Sequence, residues 1–147
     1  MSPLAGKLVL PSIVEEMRSA QEAVLEAVVR AGYGEHDRFA IQLALEEALA
    51  NAIHHGNQND PTRQVIIEFA VNDETVSISV TDEGPGFTPE TLPDPTTDEN
   101  VQKPYGRGVM LMRVYMSEVR YNPTGNRVSM IKRRSSHPGH SNPLPNP

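Results

Sequence analysis

Residues 43–57, LALEEALANAIHHGN, have the Ala- and Leu-rich pattern of a helix, yet they carry two Glu, two Asn and two His. Polar groups buried in such a helix cost free energy unless they have partners. Glu47, Asn51 and His55 are spaced i, i+4, i+8, so an α-helix places them on one face, while Glu46 lies about 100° away. For this helix alone, the simplest interpretation is a solvated face with two surface histidines.

The same spacing also has a chemical interpretation. The side-chain oxygen of Asn51 is a suitable ligand for a hard cation such as Mg²⁺. Glu47, one turn earlier, could take a proton from an attacking hydroxyl or water. A metal site built on His54 and His55 is disfavoured, because adjacent side chains on a helix point in different directions and the HExxH pattern is absent.

Composition limits the classes of protein that fit. The chain has 147 residues, 37% hydrophobic and 22% charged, which favours one soluble globular domain over residues 1–134. A net charge of −6 disfavours nucleic-acid and anionic-membrane partners. Without cysteine there is no disulfide, thiolate zinc site or thiol nucleophile. No signal peptide or long apolar run is found, so we expect a cytoplasmic location. The Pro- and Ser-rich residues 135–147 are expected to be a disordered tail.

The pattern of the remaining chain predicts an α+β fold, with helices on one face of a mainly antiparallel sheet. Ser12 is expected to cap the first helix, with Glu15 as its capping-box partner. The KRR sequence at 132–134 is interpreted as a solvated strand end. The predicted elements are strands at 7–11, 64–71 and 75–81, helices at 13–30, about 36–55 and 108–116, and a final hairpin within 117–134.

A second motif is VTDEGPGF, residues 80–87, in which Asp82 directly follows a predicted strand. A carboxylate at the end of a buried strand can accept a hydrogen bond from an exocyclic amine. Gly84 and Gly86 would let a flat ligand approach the backbone. An ordinary Asp-x-Gly turn is the alternative interpretation.

A third motif is Gly106-Arg107-Gly108, just before the last predicted helix. Free N–H groups at a helix N-terminus attract anions, and Arg107 could add a phosphate contact. It is not a Walker A loop, because no GK[ST] follows, and flexible punctuation after a long loop is the alternative. That loop, residues 88–105, is Pro- and Thr-rich and long enough to indicate a functional or disordered segment.

In this order the three motifs resemble the N, G1 and G2 boxes of the GHKL superfamily, named for gyrase, Hsp90, histidine kinase and MutL. Its Bergerat fold is a two-layer α/β sandwich with a mixed, mainly antiparallel sheet and a mobile ATP lid. The sequences ALEEALANAIHHGN, VTDEGPGF and GRGVMLMRVYMSEVRY look most like the anti-sigma-factor serine kinases of bacterial stress response and sporulation. The resemblance covers roughly residues 7–134.

The resemblance implies ATP or ADP and Mg²⁺ as cofactors, and a role for each matching position. Asn51 would bind the Mg²⁺ that bridges the phosphates, and Glu47 would be the general base for a serine hydroxyl of a partner. Asp82 would accept a hydrogen bond from the adenine amino group. The remaining implied roles are the purine pocket (Gly84 and Gly86), phosphate contacts (Gly106, Arg107 and Gly108), a phosphate or lid contact at the end of the N box (His55 and Gly56), and the ATP lid (residues 88–105).

The sequence also departs from the family pattern at several positions. The lid arginine of some members is absent, so Lys103 or Arg107 would have to serve instead. The Gly-Thr pair that often begins the last strand is Gly125-Asn126, so the hydroxyl near adenine would have to come from Ser129 or Thr81.

By resemblance, the chain is expected to hold a sigma factor inactive and to phosphorylate a STAS-type anti-anti-sigma protein on serine. A homodimer is expected on the same basis. One alternative is a non-catalytic, nucleotide-binding interaction module. Another is a stand-alone histidine-kinase-type catalytic domain, which is disfavoured because that group commonly has Asn and Lys where this chain has Glu47 and His54.

Overall fold

Two helices and five strands make up most of the described chain, which in this computed structural model comprises residues 4–85 and 111–135. A π-helical turn continues the second helix, and residues 111–115 are also helical. The elements are β1 (Leu4–Pro11), α1 (Val14–Arg30), α2 (Glu35–Ala50), the π-turn (Asn51–Gly56), β2 (Gln64–Val71), β3 (Thr75–Thr81), β4 (Glu118–Tyr121) and β5 (Arg127–Arg133).

The five strands form one sheet in the order β1-β2-β3-β5-β4, and every neighbouring pair is antiparallel. The predicted α+β class is therefore confirmed. In β3 the side chains of Val76, Ile78 and Val80 are buried beneath the helices. Because side chains alternate along a strand, Asp82 continues this inner face just beyond the end of β3.

The helices bury their apolar faces against the inner face of the sheet. Val24 and Val28 of α1 meet Ile41 and Leu45 of α2 in one core, and all four are 0% exposed. Burying each such side chain contributes about 1.5–3 kcal/mol. Within the described residues, no helix combines the length and apolarity needed to cross a membrane.

The start of α1 differs from the prediction. Ile13 is the N-cap residue, and no side chain caps the helix, so the expected capping box of Ser12 and Glu15 is wrong. Ser12 is buried instead, and its hydroxyl donates to the carbonyl of Arg63 at 2.8 Å. The Ser12 hydroxyl therefore bonds to a residue distant in sequence and does not cap the helix.

Arg134, the residue directly after β5, links the sheet to the turn between the helices. Its guanidinium lies 3.9 Å from the ring centroid of Tyr33 and donates to the carbonyls of Ala31 at 2.7 Å and Gly32 at 3.0 Å. These carbonyls follow the last turn of α1, where a cation is favourable. The interpretation of residues 132–134 as a solvated strand end is therefore wrong for Arg134.

Candidate functional site

Glu47 and Asn51 lie together at the end of α2. The N–H of Asn51 donates to the carbonyl of Glu47, as the α-helical i, i+4 relation requires. Both residues are half-buried, whereas Glu46 is exposed. The helix therefore separates the two glutamates as the spacing predicted.

The side-chain amide of Asn51 is not used to hold the fold. Its nitrogen is buried and has no hydrogen-bond partner among the described residues. A buried donor without a partner costs about 1–3 kcal/mol. A buried amide nitrogen without a partner at a helix end is consistent with a side chain that binds a ligand.

The predicted second helix changes its winding at Asn51. Residues Asn51–Gly56 form a π-turn, and the N–H of Asn57 donates to the carbonyl of Ala52, five residues back, at 2.8 Å. Turns of this kind are rare in proteins as a whole, but those that occur are often at functional sites. The winding therefore changes between Asn51 and His55, and Glu47, Asn51 and His55 are all half-buried.

The two histidines have different surroundings. His55 is half-buried, and burial lowers its pKa, with the adjacent His54 adding to the effect. His54 is exposed, and its Nδ1 lies 2.5 Å from the side-chain oxygen of Asn59. Within the described residues, no group of three or more His, Asp or Glu has the arrangement of a metal site.

Asp82 is held at the end of β3 with one carboxylate oxygen occupied. Its Oδ1 accepts the N–H of Gly84 at 2.8 Å, and in the described parts of the chain no donor is bonded to Oδ2. Burial raises the pKa of this carboxyl, opposed by the Gly84 N–H and by the positive charge of Arg63. A half-buried carboxylate with a spare oxygen is suited to receive a donor from a ligand.

Gly56 and Gly84 allow the π-turn and the Asp82 loop to meet. A Cβ added at Gly56 would overlap the carboxylate of Asp82, and one added at Gly84 would overlap the backbone carbonyl of Gly56. Gly56 was expected at a phosphate or lid contact, and Gly84 beside the purine. In the structure both lie where two backbone segments approach each other closely.

We predict that Gly56→Ala and Gly84→Ala both destabilise the protein by about 1–3 kcal/mol, because the added methyl group forces the two segments apart. The cost should be larger for Gly84→Ala, whose obstacle is backbone. Gly34→Ala is the matched control, because a Cβ there meets nothing within 4 Å. Urea unfolding of the three variants checks this, and equal midpoints for Gly34→Ala and Gly84→Ala would contradict it.

Two asparagines outside the predicted site residues hold this loop. The fully buried Asn57 accepts the N–H of Glu83 at 2.7 Å. Asn126 donates through Nδ2 to the carbonyl of Asp82 at 3.1 Å, and its own carbonyl accepts the Asp82 N–H at 2.9 Å. A signal for Asn57 was available, since it directly follows the histidine-glycine end of the helix motif, but a sequence does not reveal the partner.

Asn126 occupies the position where related sequences often have a threonine whose hydroxyl lies near adenine. Ser129 pairs with Ser79 across the sheet, and directly paired residues share a face. Ser129, Ser79 and Thr81 therefore lie on the face opposite Asp82. Neither Ser129 nor Thr81 supplies the expected hydroxyl, and Asn126 contacts the Asp82 backbone instead.

The third motif and the loop before it fall outside the described residues. These are the lid at 88–105 and the predicted ligand contacts Gly86, Lys103, Gly106, Arg107 and Gly108. Their predicted roles remain predictions.

Two surface depressions in the described residues lie away from this cluster. One of about 290 Å³ runs along the sheet past Ser79 and Ser129. The other, of about 280 Å³, lies between α1 and α2 and is lined by Met17 and Leu49. Neither is lined by Asp82, so the candidate site is defined by its side chains and close backbone contacts.

The described elements form an α+β domain with its helices on one face of an antiparallel sheet. Residues 10–132 match the histidine kinase-like ATPase domain family, and the chain belongs to that family. Membership implies ATP binding.

Two of the similar proteins come from Bacillus subtilis and Geobacillus thermodenitrificans. The chain is 33% identical to the serine-protein kinase RsbW of Bacillus subtilis over 113 residues, which cover 70% of this chain and 69% of that protein. It is 35% identical to the anti-sigma F factor of Geobacillus thermodenitrificans over 82 residues, or 54% of this chain and 56% of that one. A crystal structure of RsbU and RsbW domains from Mycobacterium tuberculosis superposes with a TM-score of 0.60 at 18% identity, covering 88% of this chain and 32% of that one. The structural match supports the fold.

Proposed function

We propose that this chain is a cytoplasmic ATP-dependent protein serine kinase that also acts as an anti-sigma factor. The observation that carries the proposal is that Glu47 and Asn51 share one turn at the end of α2, while Gly56, in the π-turn that follows, lies against the Asp82 carboxylate. Similarity to a serine-protein kinase over 70% of the chain supports the same activity. The family match over residues 10–132 supports one domain.

Phosphoryl transfer needs positioning and charge neutralisation more than covalent chemistry from the protein. Glu47 is proposed to accept the proton of the attacking serine hydroxyl. Asn51, one turn later, is proposed to hold Mg²⁺ through its side-chain oxygen, and no hydrogen bond from its Nδ2 within the described residues ties the amide to the fold. When bound, the ion would neutralise negative charge on the phosphates.

Asp82 is proposed to bind the adenine amino group through Oδ2. The backbone geometry of the loop supports adenine over phosphate at this position. The N–H groups of Asp82, Glu83 and Gly84 donate in turn to the Asn126 carbonyl, Asn57 Oδ1 and Asp82 Oδ1. Since all three donors are already used, they cannot form an anion-binding nest. The phosphates are therefore proposed to lie toward Asn51 and the third motif.

The partners follow from the relatives and belong to the proposal. A sigma factor would be held in the inactive state, and a STAS-type anti-anti-sigma protein would be the phosphate acceptor. A homodimer is proposed on the same analogy.

The proposal is tested by incubating the purified chain with γ-labelled ATP, Mg²⁺ and a panel of STAS-type proteins. We expect label on one acceptor, stable to acid, and lost when its target serine is changed to alanine. Phosphoserine survives acid whereas phosphohistidine does not. Acid-labile label would favour the histidine-kinase alternative, and ATP binding without transfer to any acceptor would favour a non-catalytic module.

A further inference from the structure

Asn57 joins the candidate site to the framework of the fold. Its side chain is 0% exposed, and both polar atoms have partners. Nδ2 donates to the Ser12 hydroxyl at 2.7 Å and to the Gln64 carbonyl at 3.0 Å, while Oδ1 accepts the N–H of Glu83 at 2.7 Å. A fully satisfied buried amide of this kind rigidifies its surroundings.

The two ends of this amide touch different parts of the molecule. Ser12 lies between β1 and α1, and Gln64 begins β2, so the nitrogen is anchored to the framework. The hydroxyl of Ser12 is itself fixed by its bond to the Arg63 carbonyl. The side-chain oxygen of Asn57 holds the loop by accepting the backbone N–H of Glu83. The side chain of Glu83 is exposed, so it does not anchor the loop by burial.

The loop end of the amide lies next to the group that the proposed function assigns to adenine. Glu83 follows Asp82 in the chain, and Gly56, which precedes Asn57, lies against the Asp82 carboxylate. The Asn57–Glu83 bond therefore fixes the loop beside the π-turn at the point where Asp82 is presented. On the β5 side the same loop is held through the Asn126 backbone.

We propose that Asn57 is a positioning residue that sets the adenine selectivity of the site by fixing where Asp82 places its free carboxylate oxygen. This inference rests on the proposed function of Asp82. Adenine offers an amino group to a carboxylate at this position, whereas guanine offers a carbonyl oxygen, which the carboxylate repels. Selectivity for ATP over GTP thus depends on the carboxylate being held in one place.

The test is the ratio of the Kd values for GTP and ATP, measured by calorimetry with Mg²⁺ present. Loss of folded protein lowers both apparent affinities equally, so the ratio does not respond to a purely structural defect. Asn57→Ala is expected to reduce the ratio about tenfold, the loss of one hydrogen bond to the loop. Asn72→Ala is the matched control, because exposed Asn72 accepts N–H groups of Glu74 and Thr75 in a distant turn. It should leave the ratio unchanged.

A conservative variant separates positioning from stability. Asn57→Asp keeps an oxygen for the Glu83 N–H but sets a carboxylate against the Gln64 carbonyl. It should unfold at lower urea concentration than wild type yet discriminate ATP from GTP better than Asn57→Ala. Equal ratios in Asn57→Ala and wild type would overturn the proposal, as would equal loss of discrimination in the Ala and Asp variants.

Two further measurements keep the proposal testable if the Asn57 variants do not fold. In wild-type protein, the Glu83 amide should exchange with solvent about 100-fold more slowly than in an unstructured peptide, despite its exposed side chain. Exchange at the unstructured rate contradicts the proposal. Asp82→Asn tests the underlying function separately: if it leaves the GTP-to-ATP ratio unchanged, the adenine assignment itself fails.

Discussion

Replacing Glu47 with Gln is expected to slow transfer of phosphate to a partner serine severely while leaving ATP binding intact. The substitution keeps the size and polarity of the side chain and removes its ability to accept a proton. A positioned general base contributes about 10²- to 10⁴-fold to rate, so kcat should fall by that factor. Because Glu47 is half-buried at the end of α2 and contributes no assigned contact to the core, Tm should change little. Labelled ATP and calorimetry measure the two effects.

The adjacent glutamate provides the control. Glu46→Gln makes the same chemical change one residue away, on an exposed side chain. Its kcat should match that of wild type. If the two variants had equal activity, Glu47 would not be the base, and the proposed arrangement of the site would be wrong.

Replacing Asp82 with Asn is expected to weaken ATP binding about thirtyfold, the magnitude of a lost charge-assisted hydrogen bond together with an unpaired donor. The asparagine can still accept the Gly84 N–H, but its NH₂ group then faces the adenine amino group, donor against donor. Calorimetric titration with ATP measures the loss. Asp73→Asn, in the exposed turn after β2, makes the same change away from the site and should not alter the Kd.

Although Asp82→Asn should weaken ATP binding, it should not lower the stability of the fold at neutral pH. Burial raises the pKa of Asp82, so the folded chain binds that proton more tightly than the unfolded chain does. The resulting stabilisation is present below the ordinary carboxyl pKa and is lost as pH rises through the raised pKa. At neutral pH the ionised carboxylate is therefore a cost that asparagine avoids. Asp82→Asn should be at least as stable as wild type in urea at pH 7, and a less stable variant with unchanged ATP affinity would contradict the account.

The parts of the fold with strong periodicity could be predicted from the sequence. The bounds of Gln64–Val71 and Thr75–Thr81 are those expected from alternation, and both strands are confirmed. The strand expected at 7–11 begins earlier, at Leu4. The sequence did not indicate this start, because Ala5 and Gly6 add no apolar alternation. Gly6 instead lies beneath the ring of Phe69, a contact that only the folded sheet reveals.

The candidate site was predictable in its residue types and less so in its geometry. The helical spacing of Glu47 and Asn51 was sufficient to place them together. The π-turn after them was not predictable, because its hydrogen bonds depend on the tertiary contacts of Gly56 and Asn57. The contacts of Asn57 with Ser12 and Glu83 span 45 and 26 residues, and no local pattern encodes partners at that distance.

We propose that Asp82 binds adenine while Asn51 and Glu47 lie at the phosphates. A crystal structure of the chain with Mg²⁺ and a non-hydrolysable ATP analogue tests it most directly. We expect the adenine amino nitrogen within hydrogen-bond distance of the Asp82 carboxylate, and the side-chain oxygen of Asn51 bound to Mg²⁺ at the phosphates. A nucleotide bound with no contact to Asp82, or with its phosphates at the Asp82 loop, would contradict it.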